Sequence, residues 1–377
     1  MLPMRPLSPS PRRLARRLTH LAGLALASVL ATSAAAQAAP KSLAPLTVGL
    51  SVRPSVADGG VWLLAQELGL WTAAGLQVRT VEFEGAGLLV PQVAAGKIDI
   101  GLPSPETILS ATAAGQSGLG LTFFYNAVPA NAMEFAVLAD SPIQRVSDLK
   151  GRKIGVGALT WGNIPSTRAI LRDAGVAAGD YSIVPVGVLG AGFHALTSGR
   201  VDALNYNAGW HDILELSGTP LRRIRMPGVF GEMSVNAFVT RSDALARDPD
   251  RYARFGRAYT QALLACQSDI ERCVTVYWQA NPQARPAAGT NPDKALADAK
   301  EVVRRRLQRI LLHPDGSPRE PGRFDVAVIR QYVQRMAEAG EFASADVPVE
   351  TLFSNALVPA FSGPDAQPAG PRAQARP

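Results

Sequence analysis

The sequence predicts an α/β protein with two similar lobes, each a mainly parallel sheet flanked by helices. Three observations predict this. Short β-rich runs alternate with helical runs from Leu46 onward. One strand–helix–strand pattern occurs twice, about 100 residues apart. Two segments rich in Pro, Gly and Asn lie where the chain could cross between the halves.

The first residues of the chain, 1–38, have the pattern of a secretory signal peptide. Four arginines between positions 12 and 17 precede an apolar run from Leu18 to Leu30, and Ala36-Gln37-Ala38 is a suitable cleavage site. The apolar run is shorter than the ~20 residues of a membrane span. We therefore expect export to a bacterial periplasm, with an uncleaved N-terminal anchor as the alternative.

The charge of the chain is concentrated at its ends. Residues 1–38 contain five arginines and no acid, so they account for five of the formal +7 and leave +2 for the rest. A pI of about 9.7 can indicate a nucleic-acid partner. Because most of the excess positive charge lies in residues 1–38, we expect no nucleic-acid partner. A hydrophobic fraction of 47% excludes a fully disordered chain, and two cysteines exclude a disulfide scaffold.

The first half contains the elements of a β-α-β-α-β unit. The predicted elements are a strand Leu46–Leu50, a helix Gly60–Trp71, a strand Leu76–Phe83, a helix Gly87–Ala95 and a strand Ile98–Ile100.

An internal repeat links this unit to a second one. Gly85-Ala86-Gly87 and Gly190-Ala191-Gly192 each open a helix, and Gly96-Lys97-Ile98-Asp99 and Gly199-Arg200-Val201-Asp202 each end one. A Gly that ends a helix and leads into a short buried strand suits both places. Two copies predict two lobes rather than one long sheet, although chance similarity of α/β units is the alternative.

The two halves meet at two candidate crossings, Val128–Asn131 and Pro227–Met233. If the chain returns at the second crossing, the first lobe is discontinuous and comprises residues 40–130 plus 235–361, with the second lobe at 131–234. Two linkers of this kind form a hinge that opens and closes a cleft. We expect the Pro- and Ala-rich segment 362–377 to be disordered.

Cys266 and Cys273 are too far apart for a bond on one straight helix, because seven residues span about 10.5 Å. Ser268-Asp269-Ile270-Glu271 resembles a capping box, so a new helix could begin there and bring the sulfurs together. With export to an oxidising compartment we expect a disulfide, and a free buried pair is the alternative.

Motifs for catalysis are weak in this sequence. His194, His211 and His313 have no metal-ligand spacing, and no G-x-S-x-G motif occurs. Ser147-Asp148-Leu149-Lys150 matches S-x-x-K without its partner motifs. We therefore expect no cofactor, no metal and no enzymatic activity.

Polar and aromatic residues follow the predicted strands. In open α/β sheets, ligands bind beyond the carboxyl ends of strands, near helix N-termini whose free N–H groups suit anions. Surface exposure, helix capping or core packing are the plainer roles of each residue taken alone. The candidate ligand-binding residues are Arg53, Glu84, Ser104, Tyr125, Asn126, Thr160, Trp161, Ser166, Asn205, Tyr206, Asn207 and Trp210.

Several segments resemble one known family of proteins. They are Ala65-Gln-Glu-Leu-Gly-Leu-Trp71, Phe83-Glu-Gly-Ala-Gly87, Val93-Ala-Ala-Gly-Lys-Ile-Asp-Ile-Gly101, Val146-Ser-Asp-Leu-Lys-Gly-Arg-Lys153 and Gly199-Arg-Val-Asp-Ala203. Their order and spacing resemble the solute-binding proteins of nitrate, taurine and aliphatic-sulfonate importers, which group with thiamine-pyrimidine-synthase-like proteins.

This resemblance implies a two-lobed periplasmic-binding fold of the second type and an inner-membrane ABC permease as partner. It also implies a ligand-binding role for nine of the twelve candidate residues, all except Tyr125, Asn205 and Tyr206. The loop Gly157–Pro165 is longer than the Gly-Ser turn of sulfonate binders, and its Trp indicates an aromatic or heterocyclic ligand with a carboxylate for Arg53.

We therefore expect a monomeric receptor for a small organic molecule, anionic or aromatic. One alternative is a periplasmic enzyme on the same fold that depends on Glu84 or His194. Another is the input module of a sensor.

Overall fold

The strands of the chain form two separate five-stranded sheets. The computed structural model describes residues 42–116, 119–129, 133–287 and 289–362, which form one compact unit. In chain order the strands are β1 (Ala44–Leu50), β2 (Leu76–Glu82), β3 (Ile100–Leu102), β4 (Leu121–Val128), β5 (Met133–Leu138), β6 (Arg152–Val156), β7 (Tyr181–Pro185), β8 (Ala203–Asn207), β9 (Leu221–Arg225) and β10 (Asn236–Arg241).

The two sheets have the same topology. The first has the order β2-β1-β3-β10-β4 and the second has the order β7-β6-β8-β5-β9. The strand that enters after a crossing, β10 or β5, is antiparallel to both of its neighbours, whereas the β1–β2, β1–β3, β6–β7 and β6–β8 pairs are parallel. The predicted fold class, two mainly parallel sheets with helices, is confirmed.

Helices cover both sheets. They are α1 (Val56–Glu67), α2 (Leu70–Ala73), α3 (Ala86–Ala94), α4 (Pro105–Ala113), α5 (Ile164–Asp173), α6 (Gly190–Thr197), α7 (Ala208–Leu216), α8 (Val229–Glu232), α9 (Ser242–Arg247), α10 (Pro249–Ser268), α11 (Ile270–Ala280), α12 (Pro292–Leu311), α13 (Val326–Glu338), α14 (Val349–Leu352) and α15 (Val358–Phe361). Among the residues described, none of these helices is long and apolar enough to cross a bilayer.

Asp99 and Asp202, the last residues of the repeated motif, make the same contacts in the two sheets. The Asp99 N–H donates to the Thr47 carbonyl and its carboxylate accepts from the Thr47 N–H at 2.7 Å. Asp202 makes the same pair with Lys153, with the N–H of Lys153 2.8 Å from its carboxylate. Each aspartate therefore extends the strand pairing beyond β3 or β8, which explains why both copies carry it.

Two of the predicted boundaries are wrong by a few residues. The predicted helix Gly60–Trp71 is two helices, α1 and α2, because α1 begins earlier at a Ser55 cap and the chain turns at Gly69, whose φ is +66°. The predicted strand Ile98–Ile100 is displaced two residues, to β3, because Asp99 pairs through its side chain. The predicted signal peptide 1–38 and all but Ser362 of the predicted tail lie outside the described residues.

The edge strand β4 is buried along its whole length. Single bridges connect Phe123 to Phe353 and Asn126 to Gly322, so segments near the C-terminus cover its free edge. Covering an edge in this way removes an open site for unwanted strand pairing. These segments therefore complete the half of the molecule that holds the first sheet.

Cys266 and Cys273 form a disulfide, as expected. The chain turns between α10 and α11 at Asp269, whose carboxylate accepts from the Arg272 N–H at 2.9 Å. The cap is Asp269 and not Ser268. Gly60 of α1 packs directly on Cys273, where a Cβ would collide with the Cys273 carbonyl.

Candidate functional site

A cavity of about 1190 Å³, counted with its open mouth, lies between the two sheets. Its walls come from both halves: Ser51 follows β1, Ser104 follows β3, Trp161 lies between β6 and α5, and Asn207 ends β8. Carboxyl ends of parallel strands and helix N-termini meet in this region, as in other open α/β sheets. Its position and mixed lining suit a small organic ligand.

Five of the twelve candidate residues line this cavity. Two of them, Trp161 and Trp210, have ring centroids 5.8 Å apart, so they form an aromatic wall on the side of the second sheet. Asn207 caps α7 through its side-chain oxygen, which accepts from the Gly209 N–H at 2.9 Å. The five are Ser104, Trp161, Ser166, Asn207 and Trp210.

Three candidates lie outside the cavity lining, near the surface. The side chain of Arg53 is 60% exposed, and its Nε lies 3.7 Å from Oε2 of Glu82. The guanidinium stays at the surface because burying a charge in an apolar wall would cost its hydration. The Glu84 side chain is also exposed. The Glu84 carbonyl accepts from the Thr160 hydroxyl at 2.5 Å, so this pair contributes a contact between the halves rather than a ligand contact.

Four candidates are buried inside strands instead of following them. The sequence predicts strands at Leu121–Phe124 and Val201–Leu204, just before these residues, but β4 and β8 continue for several more residues. Side chains inside a strand find partners in the core: the Tyr125 hydroxyl bonds Thr260 at 2.9 Å, and the Tyr206 hydroxyl donates to the Gly187 carbonyl. The four residues are Tyr125, Asn126, Asn205 and Tyr206.

Asn126 and Asn205 use their amides in the same way. The Asn126 amide donates to the Arg323 carbonyl at 3.1 Å, and the Asn205 amide donates to the Thr167 hydroxyl at 2.5 Å. Tyr206 also packs edge-on against Trp210, with centroids 5.4 Å apart. Asn205, which also bonds Asn163, and Tyr206 therefore support the cavity wall from behind, whereas Asn126 and Arg323 line a second cavity.

Glu106 lines the cavity and was not among the candidates. It is 7% exposed, and its Oε1 accepts from the Ser166 hydroxyl at 3.1 Å, while its Oε2 has no hydrogen-bond partner. Burial raises the pKa of this carboxyl to about 7, although the hydroxyls of Ser166 and Tyr332 act in the opposite direction. Acidic residues are common in the first turn of a helix, because the partial positive charge at the helix N-terminus stabilises them. The sequence alone therefore does not distinguish Glu106 from an ordinary helix-start acid.

Arg306 also lines the cavity, from the distant helix α12. Its guanidinium pairs with Asp58 at 2.6 Å and donates to the Asn207 side-chain oxygen at 3.4 Å, while its Nε has no partner. This link joins α1, α12 and the start of α7. No local motif predicts it, because the three residues are far apart in the sequence.

Three of the four methionines in the described residues line the cavity, namely Met133, Met226 and Met233. All three lie at or beside the crossings between the halves. Thioether side chains are flexible and polarizable, and they pack well against aromatic rings. The lining at the crossings can therefore adapt to the shape of a ligand.

Direct contacts close the cavity between α4 and α5. Ser166 of α5 bonds Glu106 of α4, and a Cβ on Gly162 would lie 2.6 Å from the Thr107 hydroxyl and 2.7 Å from the Ser104 Cβ. A side chain at Gly162 cannot fit while the two halves are this close. The structure therefore has the two halves in contact around the cavity.

A cluster of charged residues joins α7 to α12 away from the cavity lining. Asp212, whose side chain is fully buried, pairs with Arg223 at 2.8 Å, Arg305 at 3.2 Å and Arg309 at 2.6 Å. Burial alone would raise the pKa of Asp212, but the hydrogen bond and charge of Arg309, with Arg223 and Arg305, outweigh it and lower the pKa. This cluster is a second connection between the halves.

Two twin sheets around a cavity lined from both of them define the periplasmic-binding-protein fold. A family model described as "NMT1/THI5 like" matches residues 59–271, which is more than half of the chain. The protein belongs to this NMT1/THI5-like family, which agrees with the expected group of binding proteins.

Known proteins with similar sequences or structures agree with this assignment. A putative binding protein of Brucella abortus (strain 2308) is 28% identical over 207 residues, which are 51% of this chain and 58% of that protein. The chain therefore aligns with less than two thirds of that relative's length.

Two solved structures are similar in fold. The alkanesulfonate-binding protein SsuA of Xanthomonas axonopodis pv. citri, bound to MOPS, superposes with a TM-score of 0.60 at 20% identity, covering 82% of this chain and 98% of that one. The desulfurization enzyme DSZB superposes with a TM-score of 0.53 at 17% identity, covering 84% and 97%. At these identities the similarity establishes the fold, which binding proteins and an enzyme share.

Proposed function

We propose that this protein is a periplasmic receptor that captures a small organic molecule and delivers it to the permease of an ABC importer. The observation that carries the proposal is the cavity between the sheets, whose walls come from both halves of the molecule. A ligand held there touches both halves at once, so it stabilises the arrangement in which they are close together. A permease then distinguishes loaded from empty receptor by that arrangement.

The proposed moving units are residues 40–130 plus 235–361 and residues 131–234. The sheets support this division, because β1–β4 and β10 belong to the first range and β5–β9 to the second. Two crossings connect the units and act as the hinge. Residues 1–38 are proposed to direct export to the periplasm, where the receptor acts as a monomer.

Gly162→Ala tests whether closure around the cavity is required for binding. The added Cβ would collide with Ser104 and Thr107 only when the halves are close. With any aromatic probe that binds the unmodified protein, we expect affinity to fall about tenfold or more by calorimetry. Compaction on binding, measured by X-ray scattering, should fall with it.

Gly179→Ala is the matched control, because a Cβ there meets nothing within 4 Å. It should bind like the unmodified protein. A broad panel of aromatic acids, sulfonates, alcohols and amines that gives neither binding nor compaction would contradict the receptor function.

The proposal includes the absence of catalysis, although the fold also occurs in a desulfurization enzyme. Both cysteines are consumed in the disulfide, and the described histidines lie outside the cavity lining. Incubating each bound probe with the protein and analysing it by mass spectrometry should return the probe unchanged. Conversion with turnover would favour the enzyme instead.

A further inference from the structure

The charged residues of the cavity leave no free cation for an anionic ligand. Among the described lining residues, the charged side chains are Asp58, Glu106 and Arg306. Arg306 is already paired with Asp58 at 2.6 Å, and its side chain is 5% exposed. The remaining charge is the Glu106 carboxylate. The lining is therefore neutral or carries one negative charge, depending on whether Glu106 is protonated.

An anion would meet a double cost in this cavity. It would lie near an acidic group in a poorly hydrated place, where like charges repel strongly. It would also have to displace the half-buried Asp58 carboxylate from the buried Arg306 guanidinium to obtain the Arg306 charge. The single unpartnered donor of Arg306, its Nε, instead suits a neutral acceptor atom.

The rest of the lining favours a flat, polarizable and electron-deficient partner. The side chains of Trp62, Trp161, Trp210, Phe230 and Tyr259 bring aromatic rings to the cavity, beside the three methionines. Aromatic faces attract cations and stack on other rings. An aromatic ring with a basic group satisfies both preferences.

We propose, on the basis of the receptor function above, that the ligand is an aromatic organic base whose N–H group donates to Oε2 of Glu106. The same carboxylate excludes sulfonate and carboxylate ligands. Glu106 is therefore the residue that determines the charge class of the ligand.

The surroundings of Glu106 agree with this role. Ser166 of α5 donates to Oε1, and the Tyr332 hydroxyl of α13 faces the same carboxyl and lowers its pKa, without a close hydrogen bond to Oε2. Burial raises the pKa of Tyr332 well above its usual value, so it stays uncharged. Burial raises the pKa of Glu106 to about 7, so part of the carboxyl is protonated near neutral pH. A bound cation stabilises the carboxylate and expels that proton.

Three probes with one ring system separate the charge classes. They are 2-(aminomethyl)naphthalene, 2-naphthalenemethanol and 2-naphthalenesulfonate. By calorimetry at pH 7, we expect the amine to bind about tenfold or more tightly than the alcohol, and the sulfonate to bind weakest. Binding of the amine, but not of the alcohol, should release protons, measured from heats in buffers of different ionisation enthalpy.

Glu106→Gln tests the role of the carboxylate, because it keeps the shape and an acceptor for Ser166. We expect it to remove the preference for the amine and its proton release, while the alcohol binds within about threefold of the original affinity. Ser166→Ala leaves the carboxylate and should retain the preference. Glu67→Gln, an exposed carboxylate paired with Arg272, is the matched control and should change none of the three affinities.

The outcomes separate this inference from the receptor function. Sulfonate binding as tight as amine binding, or a preference for the amine that survives Glu106→Gln, overturns the ligand class and leaves the receptor intact. No binding by these probes or by the broader panel overturns both.

Discussion

Asp212 and Glu106 are both buried carboxylates, but their surroundings are opposite. Asp212 of α7 faces α12 and pairs with three arginines, which lower its pKa. Glu106 lies in the cavity with one serine hydroxyl and one unpartnered oxygen, and burial raises its pKa to about 7. The first carboxylate has its partners within the protein, whereas the second keeps one position open. The difference separates a group whose ion pairs hold the fold together from one whose burial reduces stability when it is ionised.

The largest expected effect is the loss of the Asp212 charge. Asp212→Asn removes the buried carboxylate that three arginines share: Arg309 loses its ion pair, while Arg223 and Arg305 keep Glu215. Removing one partner of a buried pair costs roughly 3–5 kcal/mol. Chemical denaturation at pH 7 should show this loss in the free energy of unfolding. Asp243→Asn is the matched control, because that exposed carboxylate also contacts two arginines and should cost less than about 1 kcal/mol. If the two variants lost equal amounts of unfolding free energy, burial would not explain the contribution of the Asp212 cluster.

At high pH, Glu106→Gln should increase the free energy of unfolding, whereas Asp212→Asn decreases it. Because the folded-state pKa is raised from 4.5 to about 7, Glu106 binds a proton in the folded chain that the unfolded chain has lost. Stability is therefore lost as the pH rises from about 4.5 to 7. The variant lacks this loss, so between pH 4 and pH 8 it should gain about 3 kcal/mol relative to the unmodified protein. Urea denaturation at several pH values measures this, and parallel pH profiles for the two proteins would contradict it.

The disulfide stabilises the protein covalently, so it can be compared with the two buried carboxylates. Replacing Cys266 and Cys273 with serine opens a loop of seven residues, and loop entropy predicts a loss of about 2 kcal/mol. The bond joins α10 to α11 and has no charge to titrate, so the loss should be the same at pH 5 and pH 8. A loss of stability that changes between pH 5 and pH 8 would contradict this expectation.

The smallest expected effect belongs to an exposed ion pair. Glu67 and Arg272 are 2.5 Å apart, with side chains 38% and 47% exposed. Such pairs contribute about 0–1 kcal/mol, and salt screens them. Glu67→Gln should therefore lower the free energy of unfolding by less than about 1 kcal/mol, and 1 M salt should remove the difference. A larger effect would show that distance, rather than burial, determines the stability of these pairs.

Much of the fold could be predicted from the sequence because its signals are local. The repeat around Asp99 and Asp202 predicts two similar sheets, since Gly and Asp at a helix end specify the turn and the first strand contact. Strand lengths were harder to predict. Tyr125 and Tyr206 continue their strands because tertiary partners bury them, and a strand signal does not contain that information.

The site was less predictable for the same reason. Trp161 and Asn207 follow strand ends, so the rule for open sheets finds them. Glu106 has the ordinary position of an acid in a first helical turn, and only its burial distinguishes it. Arg306 comes from a helix about 100 residues after Asn207 and contacts it only in the folded chain.

The insertion of β10 between β3 and β4 has a consequence for the order of folding. Every strand of the second sheet comes from residues 133–225, so that sheet can form from one continuous stretch of the chain. In the first sheet, β4 pairs along its length only with β10, so the sheet stays incomplete until residues 236–241 reach it. Contacts that are distant in sequence form slowly, so we expect the half that contains the N-terminal strands to finish folding last.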